Sequence, residues 1–207
     1  MADDKGFLKT GTTTVGLVGK DCVVLASDRR ATMGYLIASK DIDKIYPIDD
    51  HIAMTVAGSV GDAQKLVRWM EAEARNYALE KERPISVNGA AVLLANILSS
   101  YKVLPFWVQL LVGGVDETGP HLFSVDMLGG VTEEIFTSTG SGSPIAYGVL
   151  ETNFKKGMSC KDLTKIAAKA VWAAMQRDAA SGEHIDVVIV DRKGFKRMPR
   201  QDVKKLI

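Results

Sequence analysis

After eleven mostly polar or small residues, the chain turns into short runs of β-branched and apolar side chains. Residues 12–18 and 22–26 form two such runs joined by Gly19-Lys20-Asp21, which predicts a hairpin. Residues 52–57 predict another strand, stopped by Gly58, with a further strand before it around Lys44-Ile45-Tyr46. The period then changes to that of a helix. Ala63, Leu66, Val67, Met70, Ala74 and Tyr77 share one face, and Lys65, Arg68, Glu71, Glu73, Arg75 and Glu80 fall elsewhere. A second helix opens at Ser86 and runs through Leu98, and Pro105 bars its continuation.

Strand periodicity returns at 107–115 and 121–126, with Asp116-Glu117-Thr118-Gly119-Pro120 as the turn, and again at 133–139. The loop at 140–144 leads into a helix towards Phe154. A longer helix, with Ser159 or Asp162 near its start, aligns Leu163, Ile166, Ala167, Ala170, Val171, Ala174 and Met175. Residues 185–190 and 195–198 close the pattern as strands. Strands and helices come in blocks rather than strict alternation, so the class is α+β, and two sheets each with a helical cover would form a layered sandwich. No repeat period or low-complexity linker divides the chain, which predicts one compact domain.

Composition narrows the function classes. The chain has 207 residues, 46% hydrophobic and 25% charged, the profile of a folded globular domain. Its net charge of +1 supplies no global field for nucleic acid or an anionic membrane. The start lacks the basic-then-apolar pattern of a secretory signal and no run is long enough to span a bilayer, so a cytoplasmic location is expected. Cys22 and Cys160 lie far apart in sequence, without C-x-x-C spacing, and are expected to be buried small hydrophobes rather than a zinc site or redox pair. The basic residues between Arg192 and Lys205 read as a solvated face or as a contact to a neighbouring subunit.

Phosphate-loop, G-x-S-x-G and H-E-x-x-H motifs are absent, and the three histidines stand in unrelated contexts. What stands out is Gly11 followed by three threonines. Thr is a good strand former, so strand propensity alone accounts for the triplet. Cleavage between Gly11 and Thr12 would instead give Thr12 a free α-amine, which titrates at about 7.7–8.0 and can accept the hydroxyl proton without any histidine.

Six segments in order carry a resemblance: residues 11–16 (Gly-Thr-Thr-Thr-Val-Gly), 26–32 (Ala-Ser-Asp-Arg-Arg-Ala-Thr), 57–64 (Ala-Gly-Ser-Val-Gly-Asp-Ala-Gln), 109–114 (Gln-Leu-Leu-Val-Gly-Gly), 139–144 (Thr-Gly-Ser-Gly-Ser-Pro) and 177–182 (Arg-Asp-Ala-Ala-Ser-Gly). Together they resemble the catalytic β subunits of the proteasome core particle in their archaeal form. The resemblance implies the N-terminal nucleophile hydrolase fold, a four-layer αββα sandwich of two antiparallel sheets between helical layers. It divides the chain into an autocleaved prosegment, 1–11, and a hydrolase domain, 12–207. It also implies a threonine endopeptidase with no cofactor and no metal.

By the same resemblance Thr12 is the nucleophile, Lys44 lowers the pKa of its hydroxyl, and Asp28 orients that lysine. The Gly58 backbone N–H is the oxyanion donor, and Ser141, Asp178 and Ser181 surround the new amine. Ala179 departs from the polar residue often found there in relatives. The pocket positions are Ala31, Thr32, Ile42, Tyr46, Val56 and Val60, an apolar lining without acid or base that implies cleavage after hydrophobic residues. Implied partners are identical β subunits in heptameric rings, rings of α subunits, an ATP-dependent unfoldase acting through those rings, and unfolded polypeptide substrates. A non-catalytic structural subunit, and the bacterial relative that forms six-membered rings on a single ATPase ring, are the alternatives.

Overall fold

The computed structural model describes residues 11–207; the rest of the expected prosegment, residues 1–10, lies outside the described residues. Every paired strand is antiparallel. One sheet has the order β10-β1-β2-β11-β12: β1 (Thr14–Val18), β2 (Cys22–Asp28), β10 (Phe136–Thr139), β11 (Ile185–Asp191) and β12 (Gly194–Arg197). The other has the order β5-β6-β7-β8-β9: β5 (Ile45–Asp49), β6 (Ile52–Gly58), β7 (Val108–Asp116), β8 (Gly119–Val125) and β9 (Val131–Glu133). A separate hairpin joins β3 (Ala31–Met33) to β4 (Leu36–Ser39).

The core is layered because strand side chains alternate between faces while both faces are covered. On β2, Val23 and Leu25 meet Ile45, Ala53, Leu111, Leu122, Val188 and Val190 between the two sheets. Cys22, Val24 and Ala26 point the other way, onto α3 (Ser143–Asn153) and α4 (Cys160–Met175). On the far side, Ile52, Met54 and Val56 of β6 pack under α1 (Val60–Lys81) and α2 (Val87–Ser100). Three apolar layers thus separate four layers of structure, which is the αββα sandwich of the N-terminal nucleophile hydrolases.

The helix boundaries follow from capping. Ser59, Ser86 and Ser159 are N-caps whose hydroxyls accept from the amides of Asp62, Gly89 and Asp162. Ser159 therefore starts α4 and Asp162 lies in its first turn, where the helix dipole favours an acid. Pro144 sits in the first turn of α3, where its missing N–H costs nothing.

Several elements differ from the sequence expectation. The run at 133–139 is two strands in different sheets. At the crossing, the Glu134 amide still donates to Leu122 of β8, and the Ile135 carbonyl already accepts from Val18 of β1. The hairpin β3–β4 lacks a polar alternation that would mark it, because Met33, Tyr35, Leu36 and Ile37 are all exposed. The short α5 (Arg200–Val203) is held by the buried Val203. Cys22 and Cys160 are not free thiols: they form a disulfide between β2 and the start of α4. Sequence distance concealed this pairing, because 138 residues of chain fold back between two positions whose Cα atoms are 6.1 Å apart.

Candidate active site

The ends of several strands converge around Thr12. Strand β1 begins at Thr14, so Thr12 and Thr13 are an irregular lead-in rather than strand residues. Thr12 is buried, with its Oγ1 donating to the carbonyl of the preceding Gly11 at 2.7 Å. The Gly11 amide donates to Thr32 Oγ1 at 3.0 Å. A Cβ on Gly11 would stand 1.7 Å from that of Ala180, so only glycine fits between the threonine and the 178–182 turn.

Asp28, at the end of β2, is fully buried and meets only donors. Its Oδ1 accepts from the Thr13 amide at 2.9 Å and from Lys44 Nζ at 2.7 Å. Its Oδ2 accepts from the amides of Arg30 at 3.0 Å and Gly182 at 2.9 Å. Four donors compensate the desolvation of this carboxylate, and they tie β2 to both the lysine and the 178–182 turn. Burial is the largest influence on Lys44 and brings its pKa below the ordinary lysine value; the Asp28 carboxylate opposes that shift.

On the other side of Thr12, its amide donates to Ser141 Oγ at 3.2 Å, and Ser141 Oγ donates to Asp178 Oδ2 at 2.7 Å. Ser181 Oγ donates to the same oxygen at 2.6 Å and meets Thr13 Oγ1 at 2.7 Å. With the Ser181 proton on Asp178, Thr13 is the donor in that last pair. The result is a continuous path of hydrogen bonds from the Thr12 nitrogen through Ser141 and Asp178 to Ser181. Arg30 holds the turn that carries Asp178, donating to the Ala179 carbonyl at 2.9 Å and to Glu183 at 3.1 Å.

Beside Thr12 opens a cleft lined by all six expected pocket residues, Ala31, Thr32, Ile42, Tyr46, Val56 and Val60. Gly11, Thr12, Lys44 and Gly58 line it as well. Gly58 adopts φ +128°, and a Cβ there would lie 2.1 Å from the Trp107 carbonyl, so the backbone conformation and the space both demand glycine. Ala63 and Asp43 complete the wall. The lining therefore does include an acid, contrary to the apolar expectation. Burial is the largest single influence on Asp43 and pushes its carboxyl up, but the hydrogen bonds and charges of Arg29 and Arg197 together hold it below its usual range.

The six other expected catalytic positions, Asp28, Lys44, Gly58, Ser141, Asp178 and Ser181, thus gather around Thr12. Sequence reasoning missed Thr13, Arg30 and Asp43. Thr13 was visible inside the threonine triplet, whereas Arg30 and Asp43 matter only through partners distant in sequence.

Comparison with known proteins shows the family of the chain. A family model described as proteasome subunit matches residues 8–190. A proteasome subunit beta of Methanocaldococcus vulcanius is 52% identical over 199 residues, 95% of this chain and 89% of the relative. Those of Methanosarcina barkeri and Ferroglobus placidus are each 49% identical, covering 100% of this chain and 97% and 98% of the relatives. With the family model matching most of its residues and archaeal β subunits aligning along nearly its full length, the chain belongs to the proteasome subunit family.

Proposed function

We propose that the chain is a catalytic β subunit of a proteasome core particle and hydrolyses peptide bonds of unfolded polypeptides with Thr12 as an N-terminal nucleophile. The observation that carries this reading is the position of Thr12 Oγ1 against the Gly11 carbonyl, with Lys44–Asp28 on one side and Ser141–Asp178–Ser181 on the other.

Maturation begins when Thr12 Oγ1 adds to the Gly11 carbonyl carbon, passing its proton to a neighbouring base. Collapse breaks the Gly11–Thr12 C–N bond, and the nitrogen takes up a proton. Water then hydrolyses the ester between Gly11 and Thr12 Oγ1, releasing residues 1–11 with a carboxylate on Gly11 and leaving a free amine on Thr12. In the mature domain, 12–207, that amine accepts the hydroxyl proton, the oxygen adds to the substrate carbonyl, and the Gly58 N–H faces the developing oxyanion. The leaving amine takes a proton, and water hydrolyses the acyl ester. The Lys44 ammonium favours the ionised Thr12 oxygen throughout, and Ser141 fixes the nitrogen and its proton traffic.

Ala31, Ile42, Tyr46, Val56 and Val60 favour hydrophobic residues before the scissile bond. The unit of activity is a particle of heptameric rings of this chain between rings of α subunits in the cytoplasm, fed by an ATP-dependent unfoldase. The test is intact mass and N-terminal sequencing after coexpression with α subunits, with peptidase assays, for wild type and Thr12→Ala. The wild type should begin at Thr12 and cleave peptides; the variant should retain Gly11 and be inactive. An assembled wild type that keeps all eleven leading residues, or activity in Thr12→Ala, would overturn the reading.

A further inference from the structure

Behind the cleft wall lies an ion-pair cluster that the chemistry at Thr12 does not use. Arg29, 8% exposed, pairs with Asp41, Asp43 and the buried Asp186. Arg200 of α5 reaches Asp41 at 2.7 Å. Arg197, on β12, has the most telling position. Its Nη1 donates to Asp43 Oδ1 at 2.5 Å and Asp186 Oδ2 at 2.9 Å, and its Nη2 donates to the Ile45 carbonyl at 2.7 Å. One guanidinium therefore grips the residues on either side of Lys44.

The anchor itself is rigid. Arg197 is in register with Val188 of β11, and the next amide, of Met198, donates to the Val187 carbonyl at 2.8 Å. Other bonds also hold the segment: Arg29 pairs with Asp43, the Tyr46 hydroxyl donates to the Asp43 carbonyl at 2.6 Å, the Ile42 amide donates to the Arg29 carbonyl at 3.0 Å, and the Val56 amide donates to the Lys44 carbonyl at 2.9 Å; Arg197 is the side chain that bridges Asp43 and Ile45 across the lysine. A lysine side chain has four carbons of freedom, and its backbone position decides whether Nζ reaches both Asp28 and Thr12.

We infer that Arg197 is a positioning residue for Lys44: by holding Asp43 and Ile45 against β11 and β12, it sets the depth at which the lysine enters the site. The C-terminal basic segment is thereby part of the catalytic apparatus rather than only a solvated face. This rests on the reading of Lys44 as a catalytic group. A planar fork is needed, because an ammonium cannot span a carboxylate on one side and a carbonyl on the other.

The test uses the assembled, processed particle. The groups facing Lys44 are Asp28 from β2, Asp178 from the turn after α4, and Arg30. Arg197→Ala should lower kcat about tenfold, as a small displacement of a reacting group does, with KM within about twofold. Loosening the segment admits water to Lys44 and relieves the burial that disfavours its charged form. That change favours the ammonium, so the alkaline limb of the kcat profile should move to higher pH. Arg197→Lys keeps the charge without the fork and should stay well below wild-type kcat; full activity in it would overturn the inference.

A kcat within twofold of wild type, a loss confined to KM, or a kcat lowered with an unmoved alkaline limb would each overturn the inference. If Arg197→Ala does not assemble, Arg197→Gln, which retains a donor for the Ile45 carbonyl, is judged by the same criteria. A wild type that is processed and loses activity on Thr12→Ala upholds the catalytic reading whatever Arg197 does, so the two failures are distinguishable.

Discussion

On the proposed maturation at Gly11–Thr12, Gly11→Ala would separate maturation from catalysis, because position 11 would be absent from the processed domain and both proteins would mature to the same chain. A methyl group at Gly11 would lie 1.7 Å from the Ala180 Cβ and 3.0 Å from Ser141 Oγ, where ordinary contact begins at 3.4 Å. The Gly11 backbone must therefore retreat by about 1.7 Å, or the 178–182 turn must move by as much. The turn is poorly placed to yield, since the Gly182 amide is bonded to buried Asp28 and the Ala179 carbonyl to Arg30. Gly11 is held in turn by Thr32 Oγ1. Misplacing a reacting carbonyl by about 1 Å costs on the order of a hundredfold in rate, so processing should slow by about that factor. The assay is intact mass against time after mixing with α subunits, together with peptidase activity per processed site. Each site that does mature should have wild-type kcat. Processing at the wild-type rate would refute the steric reasoning.

Two further predictions concern the supports of the site. Asp28→Asn is not a mild change, because its amide group would face the donors on one side, either Thr13 N and Lys44 Nζ or Arg30 N and Gly182 N. Breaking this buried pair should cost about 3–5 kcal/mol in denaturant unfolding and reduce peptidase activity; a loss under about 1 kcal/mol would show that the carboxylate charge is not needed. Cys160→Ser should lower stability by about 2–4 kcal/mol while leaving kcat unchanged, since the disulfide closes a long loop far from Thr12. Alkylation before and after reduction, read by mass, checks the bond directly: two free thiols in the unreduced protein would contradict it.

Much of the architecture follows from local chemistry and so was legible in the sequence. Ser86 marked one helix start and Ser159 was one of two candidates for another, and the switch between periods of two and 3.6 marked the blocks. The Thr triplet after Gly11 marked the nucleophile candidate, though the lysine and the acids were legible only through family resemblance. A lone Lys44 or Asp178 has no local signature, because its significance lies in what lies opposite it.

What the sequence by itself determined, then, is the pattern of elements and the sites where a glycine, a cap or a threonine is chemically apt. Tertiary structure alone decided that residues 133–139 divide between two sheets, that Cys22 meets Cys160, and that Asp43 stands in the cleft wall with its charge matched by Arg29 and Arg197. The physical reason is common to all three. Periodicity reports which face of an element is buried, but pairing depends on which remote segment covers that face, and that is settled only when the layers pack.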